Sequence, residues 1–302
     1  MINREEFFKK YHVAELFQKS ELNWDTLEKI YEDYVANSAE YNDCCSKLEE
    51  FLNNEFKPRP DGLGGTAFHS IRGRVKLPEH LIEKIIRKRG QEHSYKYKDI
   101  DVSNYKSIVR DLVGIRILVL AKEDWESIFN KVIEIFPSDN ESEIRMEENP
   151  KAYTRYGDRN IYNGKIEAAH SNKGYRSQHY VVYFQGIYCE IQVRTLAEEV
   201  YGEFDHEVKY PYREKNKFLI RYTNILSQLL DSVDELLSTC FQMNEEGWEK
   251  NDVYFKYDDY IDWMNISQEQ KHDDKDIVSA IEYVNGKIDM KSSAGKIFLR
   301  KE

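Results

Sequence analysis

The chain has 302 residues, 40% hydrophobic and 33% charged, with a formal net charge of -11, the composition of a soluble globular protein able to bury a sizeable core in one domain or two. That charge excludes a broad nucleic-acid-binding surface, and no apolar run is long enough to cross a bilayer. Four cysteines without Cys-x-x-Cys spacing indicate neither zinc nor a disulfide framework, and the N-terminus lacks a secretory pattern, so a cytoplasmic location without a membrane partner is expected.

A short helix is expected over 5–18. Apolar positions then recur three and four apart at Leu27, Ile30, Tyr31, Tyr34, Tyr41, Cys45, Leu48 and Leu52, which predicts one long amphipathic helix over 24–54 capped by Asn23. Residues 57–65, with two prolines and three glycines, make a connection. The next run, 66–76, alternates as a strand that places Arg72, Arg74 and Lys76 on one face. Pro78 opens a helix over 79–89, on which Lys84 shares a face with Arg87 or Lys88. These cations could grip a triphosphate, because guanidinium forks onto phosphate oxygens and ammonium adds a point charge. They could equally be an ordinary charged helix surface.

Residues 91–106 are polar and are expected to form a mobile loop. The apolar, β-branched run from Ile115 to Leu120 predicts a central strand buried on both faces. Asp111 stands at its mouth, where a carboxylate could hold a hard divalent cation together with phosphate oxygens; a turn or cap aspartate is the alternative. An amphipathic helix is expected over 124–136. Residues 137–170 show no steady period and are expected to form a long loop of functional importance.

The most informative stretch is 173–195. A polar, aromatic loop feeds two β-branched and aromatic runs separated by Gln185-Gly186, a hairpin signal. On the second run Glu190, Gln192 and Arg194 point to one face and Ile191 and Val193 to the other. A carboxylate, an amide and a guanidinium in a row suit either a cleft holding a metal and phosphates or the solvated face of an edge hairpin. Residues 196–209 should be helical with Val200, Phe204 and Val208 inward, and a scaffold helix is expected over 224–243. Beyond Asn244, aromatic residues mixed with acids predict a small appendage or a helix pair.

Taken in order, Arg74-x-Lys76 with Lys84, Arg110-Asp111-Leu112-x-Gly114-x-Arg116, Gly174-Tyr175-Arg176-Ser177-x-His179, Glu190-Ile191-Gln192-x-Arg194-Thr195, and His206 with Tyr210 resemble the synthetase domain of RelA/SpoT-type alarmone synthetases. The region before Phe68 is short and lacks a His-Asp metal pattern, so the resemblance is to small, synthetase-only members. It implies an α/β fold: a mixed sheet of about five strands in a nucleotidyltransferase-like core. The expected organisation is an N-terminal helical segment over 1–60, the synthetase domain over 61–215 and a helical extension over 216–302. The activity implied is transfer of pyrophosphate from ATP to the 3′-hydroxyl of GDP or GTP, giving (p)ppGpp. Asp111 and Glu190 would hold Mg²⁺, with Glu190 also the base. Arg74, Lys76, Lys84 and Arg116 would contact ATP. Tyr175 would stack on the acceptor base with His179 near its phosphates, and Lys173, Gln192 and Arg194 would complete that side.

The chain departs from the family's pattern at His80, at His170-Ser171, at Lys173 and at Tyr201, where the family carries serine, proline-lysine, a small polar residue and tryptophan. The extra lysine and the basic 84–89 helix would suit an RNA acceptor. Two alternatives therefore stand beside the main expectation: a toxin-like pyrophosphokinase acting on the tRNA 3′ CCA end or on adenine nucleotides, and an inactive nucleotide- or RNA-binding regulator. Small members often form tetramers, so a homo-oligomer is also implied.

Overall fold

The computed structural model describes residues 2–56, 68–90, 95–139, 141–155, 161–162, 164–171, 174–209 and 216–245, together with 288–289 and 298–299. The chain forms two compact units, Met1–Thr239 and Cys240–Glu302.

Unit 1 begins with four helices, α1 (Arg4–Tyr11), α2 (Ala14–Ser20), α3 (Trp24–Ala36) and α4 (Ser38–Glu55). Each expected N-terminal helix is thus a broken pair. His12 ends α1 in the left-handed conformation, with φ 51°. Asn37 ends α3, where both its backbone N–H and its Nδ2 donate to the Asp33 carbonyl. That local side-chain bond competes with continued helix. The apolar period nevertheless carries across the break: Tyr34 and Tyr41 stack with ring centroids 4.8 Å apart, and Leu27, Ile30, Leu48 and Leu52 are fully buried. Each such side chain contributes about 1.5–3 kcal/mol of hydrophobic stabilisation.

The sheet is mixed and seven-stranded, in the order β1-β2-β7-β6-β4-β5 with β3 beside β6. Its strands are β1 (Ser70–Val75), β2 (Val113–Val119), β3 (Ile144–Met146), β4 (Lys151–Arg155), β5 (Glu167–Ser171), β6 (Ser177–Phe184) and β7 (Ile187–Thr195). The excess over five strands comes from 137–170, expected as loop. β3, β4 and β5 are short, charged and peripheral, so they carry little of the apolar alternation that marks a strand. β2 lies centrally, antiparallel to β1 and parallel to β7. The β6–β7 hairpin turns at Gln185 and Gly186, both at positive φ (48° and 94°), the backbone a two-residue type I′ connection needs.

Helices α5 (Pro78–Arg89), α6 (Tyr105–Ile108), α7 (Trp125–Ile135), α8 (Leu196–Lys209) and α9 (Lys217–Glu245) complete the main elements. One face of the sheet enters the core through Ile115, Ile117, Tyr180, Val182, Ile191 and Val193. Part of the segment expected as a mobile loop is ordered: Tyr97, Ile100 and Tyr105 are buried. On α8 the inward residues are Ala197 and Tyr201, whereas Val200 and Phe204 face outward; Val208 lies outside the residues whose side chains are described. The scaffold helix is longer than expected, and its leucines do not enter the core. In unit 2 the described residues beyond the end of α9 form two short strands, β8 (Ile288–Asp289) and β9 (Phe298–Leu299), paired antiparallel. The rest of the appendage expected after Asn244 lies outside the described residues. Among the described residues no helix is long and apolar enough to cross a membrane.

Candidate active site

The polar face of the sheet carries the candidate site as two neighbouring groups of side chains, the two walls of a candidate cleft. The first is built by β1, α5 and the entry to β2. Arg74 sits opposite Gly114 across the β1–β2 ladder, within electrostatic reach of Arg116 and Asp111. Lys76 continues the strand pairing by donating its backbone N–H to the Leu112 carbonyl. Its ammonium lies 3.0 Å from Asp111 Oδ2, and that of Lys84, reaching across from α5, lies 2.6 Å from the same oxygen. Burial alone would raise the Asp111 carboxyl, but Lys84 and then Lys76 outweigh it and hold the group far below the ordinary carboxylate range. Burial pulls the Lys84 ammonium down, and Asp111 reverses this, leaving it raised; for Lys76 burial prevails and the group is lowered. Arg87 turns back to Glu83 along the helix, so of the expected cations on α5 it is Lys84 that reaches the carboxylate.

The second wall belongs to the β6–β7 hairpin and the turn before it. Five of its side chains close a hydrogen-bonded ring. Arg194 Nη2 donates to Tyr175 Oη (2.5 Å) and to Gln192 Oε1 (2.7 Å), and Gln192 Nε2 donates to Glu190 Oε2 (2.5 Å). His179 closes the circuit, with Nε2 2.9 Å from Tyr175 Oη and Nδ1 3.1 Å from Glu190 Oε1. A carboxylate only accepts, so Nδ1 is the donor to Glu190. Burial pushes the Glu190 carboxyl up, and the His179 contact outweighs it to leave the group lowered. Burial raises the Tyr175 phenol despite the opposing charge of Arg194, so it stays protonated. One face of the Tyr175 ring takes the Arg194 guanidinium, 4.9 Å from the centroid, a cation–π contact.

The walls are joined. Glu190 lies beside Gly114 in the parallel β2–β7 register, and Gln192 beside Arg116. On α8, Glu199 takes Arg116 at 2.6 Å through one oxygen and Arg194 at 2.9 Å through the other, and Glu203 pairs with Arg116 as well. Sequence reasoning missed both acids. Part of their signal was available: Glu199 and Glu203 are four apart on one helix face, a few residues after Arg194 near the end of β7. A second missed anchor is Arg176, whose side chain is buried and pairs with Asp231 of α9. Gly174 beside it has φ +76°, and a Cβ there would lie 2.8 Å from Ser227 Oγ, so the turn before Tyr175 requires glycine.

Ten of the eleven candidate residues thus come together through the strand register and their contacts: Asp111, Arg74, Lys76, Lys84 and Arg116 on one side, Glu190, Tyr175, His179, Gln192 and Arg194 on the other. Lys173 lies outside the described residues, as does Tyr210. Of the positions that depart from the family's pattern, His80 packs between Tyr11 and His206. Nδ1 of His170 lies 3.1 Å from Thr154 Oγ1 on the far edge of the sheet. Tyr201 is buried and its hydroxyl lies close beneath Gly174.

Among the described residues no group of three or more histidine, cysteine or acidic side chains could by itself hold a metal ion. A Mg²⁺ site built from one or two carboxylates and substrate phosphates needs no such group. Asp111 fits that description, because its Oδ1 is buried without a hydrogen-bond partner.

Residues 73–215 match the family model for the region found in RelA / SpoT proteins. The fold is similar to that of small alarmone synthetase 1 from Bacillus subtilis, at 19% identity and TM-score 0.54 over 71% of this chain and 98% of that one. A second structure of that protein, bound to its product pppGpp, matches at 19% identity and TM-score 0.50 over 72% and 100% of the respective chains. A GTP pyrophosphokinase family protein from Streptococcus pneumoniae matches at 20% identity and TM-score 0.50, over 68% and 90%. No curated protein sequence matches the chain.

Proposed function

We propose, on the premise that residues 73–215 of this chain are a RelA/SpoT domain, that it is a pyrophosphokinase moving the β,γ-diphosphate of ATP to the 3′-hydroxyl of GDP or GTP. The observation that carries this reading is the placement of Asp111 at the entry to β2 and of Glu190 on the adjoining parallel strand β7, with cations beside the first and a hydrogen-bonded ring of side chains around the second. The pppGpp bound to a protein of the same fold supports a guanosine acceptor by analogy.

In the proposed reaction the acceptor 3′-oxygen attacks the β-phosphorus of ATP. A new O–P bond forms there, the bond from that phosphorus to the α,β-bridging oxygen breaks, AMP leaves, and the hydroxyl proton passes to Glu190. Such a transfer needs little covalent help and depends on in-line positioning and charge neutralisation. Arg74, Lys76, Lys84 and Arg116 bind the ATP phosphates; the two lysines already bracket an oxyanion at Asp111. Glu190 is kept ionised and oriented by His179 and Gln192, the state a general base requires. Tyr175, held by Arg194, offers its other face to the acceptor base, and Lys173 extends that side. Asp111 and Glu190 would hold Mg²⁺, which would neutralise phosphate charge. The cytoplasm, where these nucleotides are found, is the proposed location.

The test offers purified protein γ-labelled ATP and Mg²⁺ with GDP, GTP, AMP or bulk tRNA in separate reactions. Label in a guanosine product is expected. Label in tRNA or AMP instead would move the assignment to a toxin-like or adenosine-alarmone enzyme, and no transfer to any acceptor would leave a nucleotide-binding regulator.

A further inference from the structure

The core face of the sheet holds a pair of thiols that the proposed reaction does not use, directly behind Glu190. Cys44 of α4 and Cys189 of β7 are 145 residues apart in the chain, so no spacing pairs them, yet the fold brings their Sγ atoms within 3.8 Å. Both are free and buried. Cys189 and Glu190 are successive on β7, so their side chains point to opposite faces of the sheet. Moving one moves the other.

We infer that Cys44 and Cys189 are an oxidisable dithiol, closed to a disulfide by a hydroperoxide, and that the new bond turns down transfer by pulling Glu190 out of its hydrogen-bonded ring. In the first step the Cys44 sulfur attacks the peroxide, the O–O bond breaks, and a sulfenic acid and a hydroxyl leaving group result. Cys189 then attacks that sulfur; an S–S bond forms, the S–O bond breaks and the second oxygen departs. In sum each sulfur gives up one electron, the peroxide takes both, and the two thiol hydrogens end in two waters. Cys44 is the sulfur suited to the first step. It is 5% exposed where Cys189 is 0%, and the Cys189 contact outweighs burial to hold its thiol below the ordinary value, which favours the nucleophilic thiolate. In a reducing compartment such a pair rests as thiols and responds to a passing oxidant.

A disulfide is about 2.05 Å long, so the sulfurs must approach by roughly 1.7 Å from their 3.8 Å separation. Helix α4 is not free to make that approach. Glu49 Oε2 accepts the Gly73 backbone N–H of β1 at 2.8 Å, and a Cβ on Gly73 would lie 2.6 Å from Cys45 Sγ. The helix already lies as near β1 as a glycine allows, so the movement falls on β7. There Glu190 is tied to Gln192 at 2.5 Å and to His179 at 3.1 Å, and a stretch of an ångström or more takes both contacts out of hydrogen-bonding range. The neighbouring Cys45 does not compete for the oxidant, because burial pushes its thiol up to about 11. The disulfide does not rest on the pyrophosphokinase assignment; its effect on transfer does.

The test uses the full chain with Cys240→Ser, which removes the exposed thiol and leaves Cys44, Cys45 and Cys189. The protein is treated with hydrogen peroxide, denatured, alkylated and weighed. Three labels are expected before treatment and one after it, with a proteolytic fragment joining Cys44 to Cys189, and dithiothreitol should restore all three. Over the same cycle kcat for transfer should fall about 10²-fold, the cost of an ångström-scale misplacement, and recover on reduction. Cys44→Ala in this background should keep the parent kcat and two labels throughout, insensitive to peroxide; Cys44→Ser repeats the test without opening a void. Three labels after treatment, a bond to Cys45 instead, or a closed Cys44–Cys189 disulfide with undiminished kcat would each overturn the proposal. Absence of transfer before oxidation would count against the pyrophosphokinase assignment instead, and the label count would still decide whether the dithiol closes.

Discussion

On the β1–β2 side of the cleft Asp111 is closed off by two ammonium groups, whereas on the β6–β7 side Glu190 is closed off by an imidazole and an amide. Both carboxyls are driven down, against burial, by what touches them. The consequences differ. Ion pairs are non-directional and can exchange partners, so the lysines can leave Asp111 for arriving phosphates while charge stays balanced. A closed ring of short hydrogen bonds fixes direction and resists rearrangement. One wall is built to rearrange on binding and the other to hold its geometry, which fits an exchangeable, highly charged donor facing a group that must be aimed at a hydroxyl.

The largest expected effect comes from removing charge without shape on the fixed wall. Glu190→Gln should lower kcat for transfer by about 10²–10⁴-fold, the range for a lost general base, with near-native thermal stability; an unchanged kcat would assign Glu190 a structural role. On the exchangeable wall Asp111→Asn should cost both activity and stability, because Lys76 and Lys84 lose the anion that offsets their burial. A loss of about 3 kcal/mol in unfolding free energy is expected, measured by urea titration, whereas a variant as stable as the parent would mean the lysines relax into solvent.

Tyr175→Phe opens the ring by one hydroxyl and keeps the aromatic face. It should lower kcat about tenfold, as for one hydrogen bond involving a charged group, while leaving the KM for ATP unchanged. A rise in the KM for ATP with constant kcat would show that the walls are not separable in this way.

The smallest effect concerns a carboxyl outside the cleft. Asp111 and Glu190 are lowered on folding, so their contribution to stability is complete above the ordinary carboxylate pKa of about 4 and is lost as pH falls through their lower folded values. Asp234 is the opposite case: burial first, and Glu198 second, push it up to about 7, and its Oδ1 has no hydrogen-bond partner. The folded state then holds a proton that the unfolded state releases, so its contribution falls as pH rises from about 4 to 7. Asp234→Asn should raise Tm at pH 8 and flatten the decline between pH 4 and 7. Parallel melting profiles for variant and parent would contradict this.

The sequence made the site legible because charge on a strand must face a cleft or solvent, and the alternation of Glu190, Gln192 and Arg194 fixes which side chains share a face. The hairpin turn at Gln185-Gly186 was legible for the same kind of reason, since only a few residues tolerate positive φ. What could not be read was contact between distant elements. Arg194 stands five residues before Glu199, but nothing in the chain says that the same carboxylate also takes Arg116. Periodicity on α9 located an apolar stripe correctly, but a stripe says only that two faces differ. Which face meets the body was decided by Arg176, Lys122 and Arg155 pairing with Asp231, and those partners lie far away in sequence. The strands β3–β5 were missed because they are three to five residues long, too short to show a clear apolar alternation, and the break at Asn37 because a single side-chain bond ended a helix that its periodicity would have continued.

The most direct test of the two-wall account is single-turnover transfer from γ-labelled ATP to GDP by native protein and by Glu190→Gln, with ATP affinity measured by calorimetry on both. The account predicts label in a guanosine product from the native protein, almost none from the variant, and equal ATP affinity. Equal transfer by the two proteins, or loss of ATP binding in the variant, would contradict it.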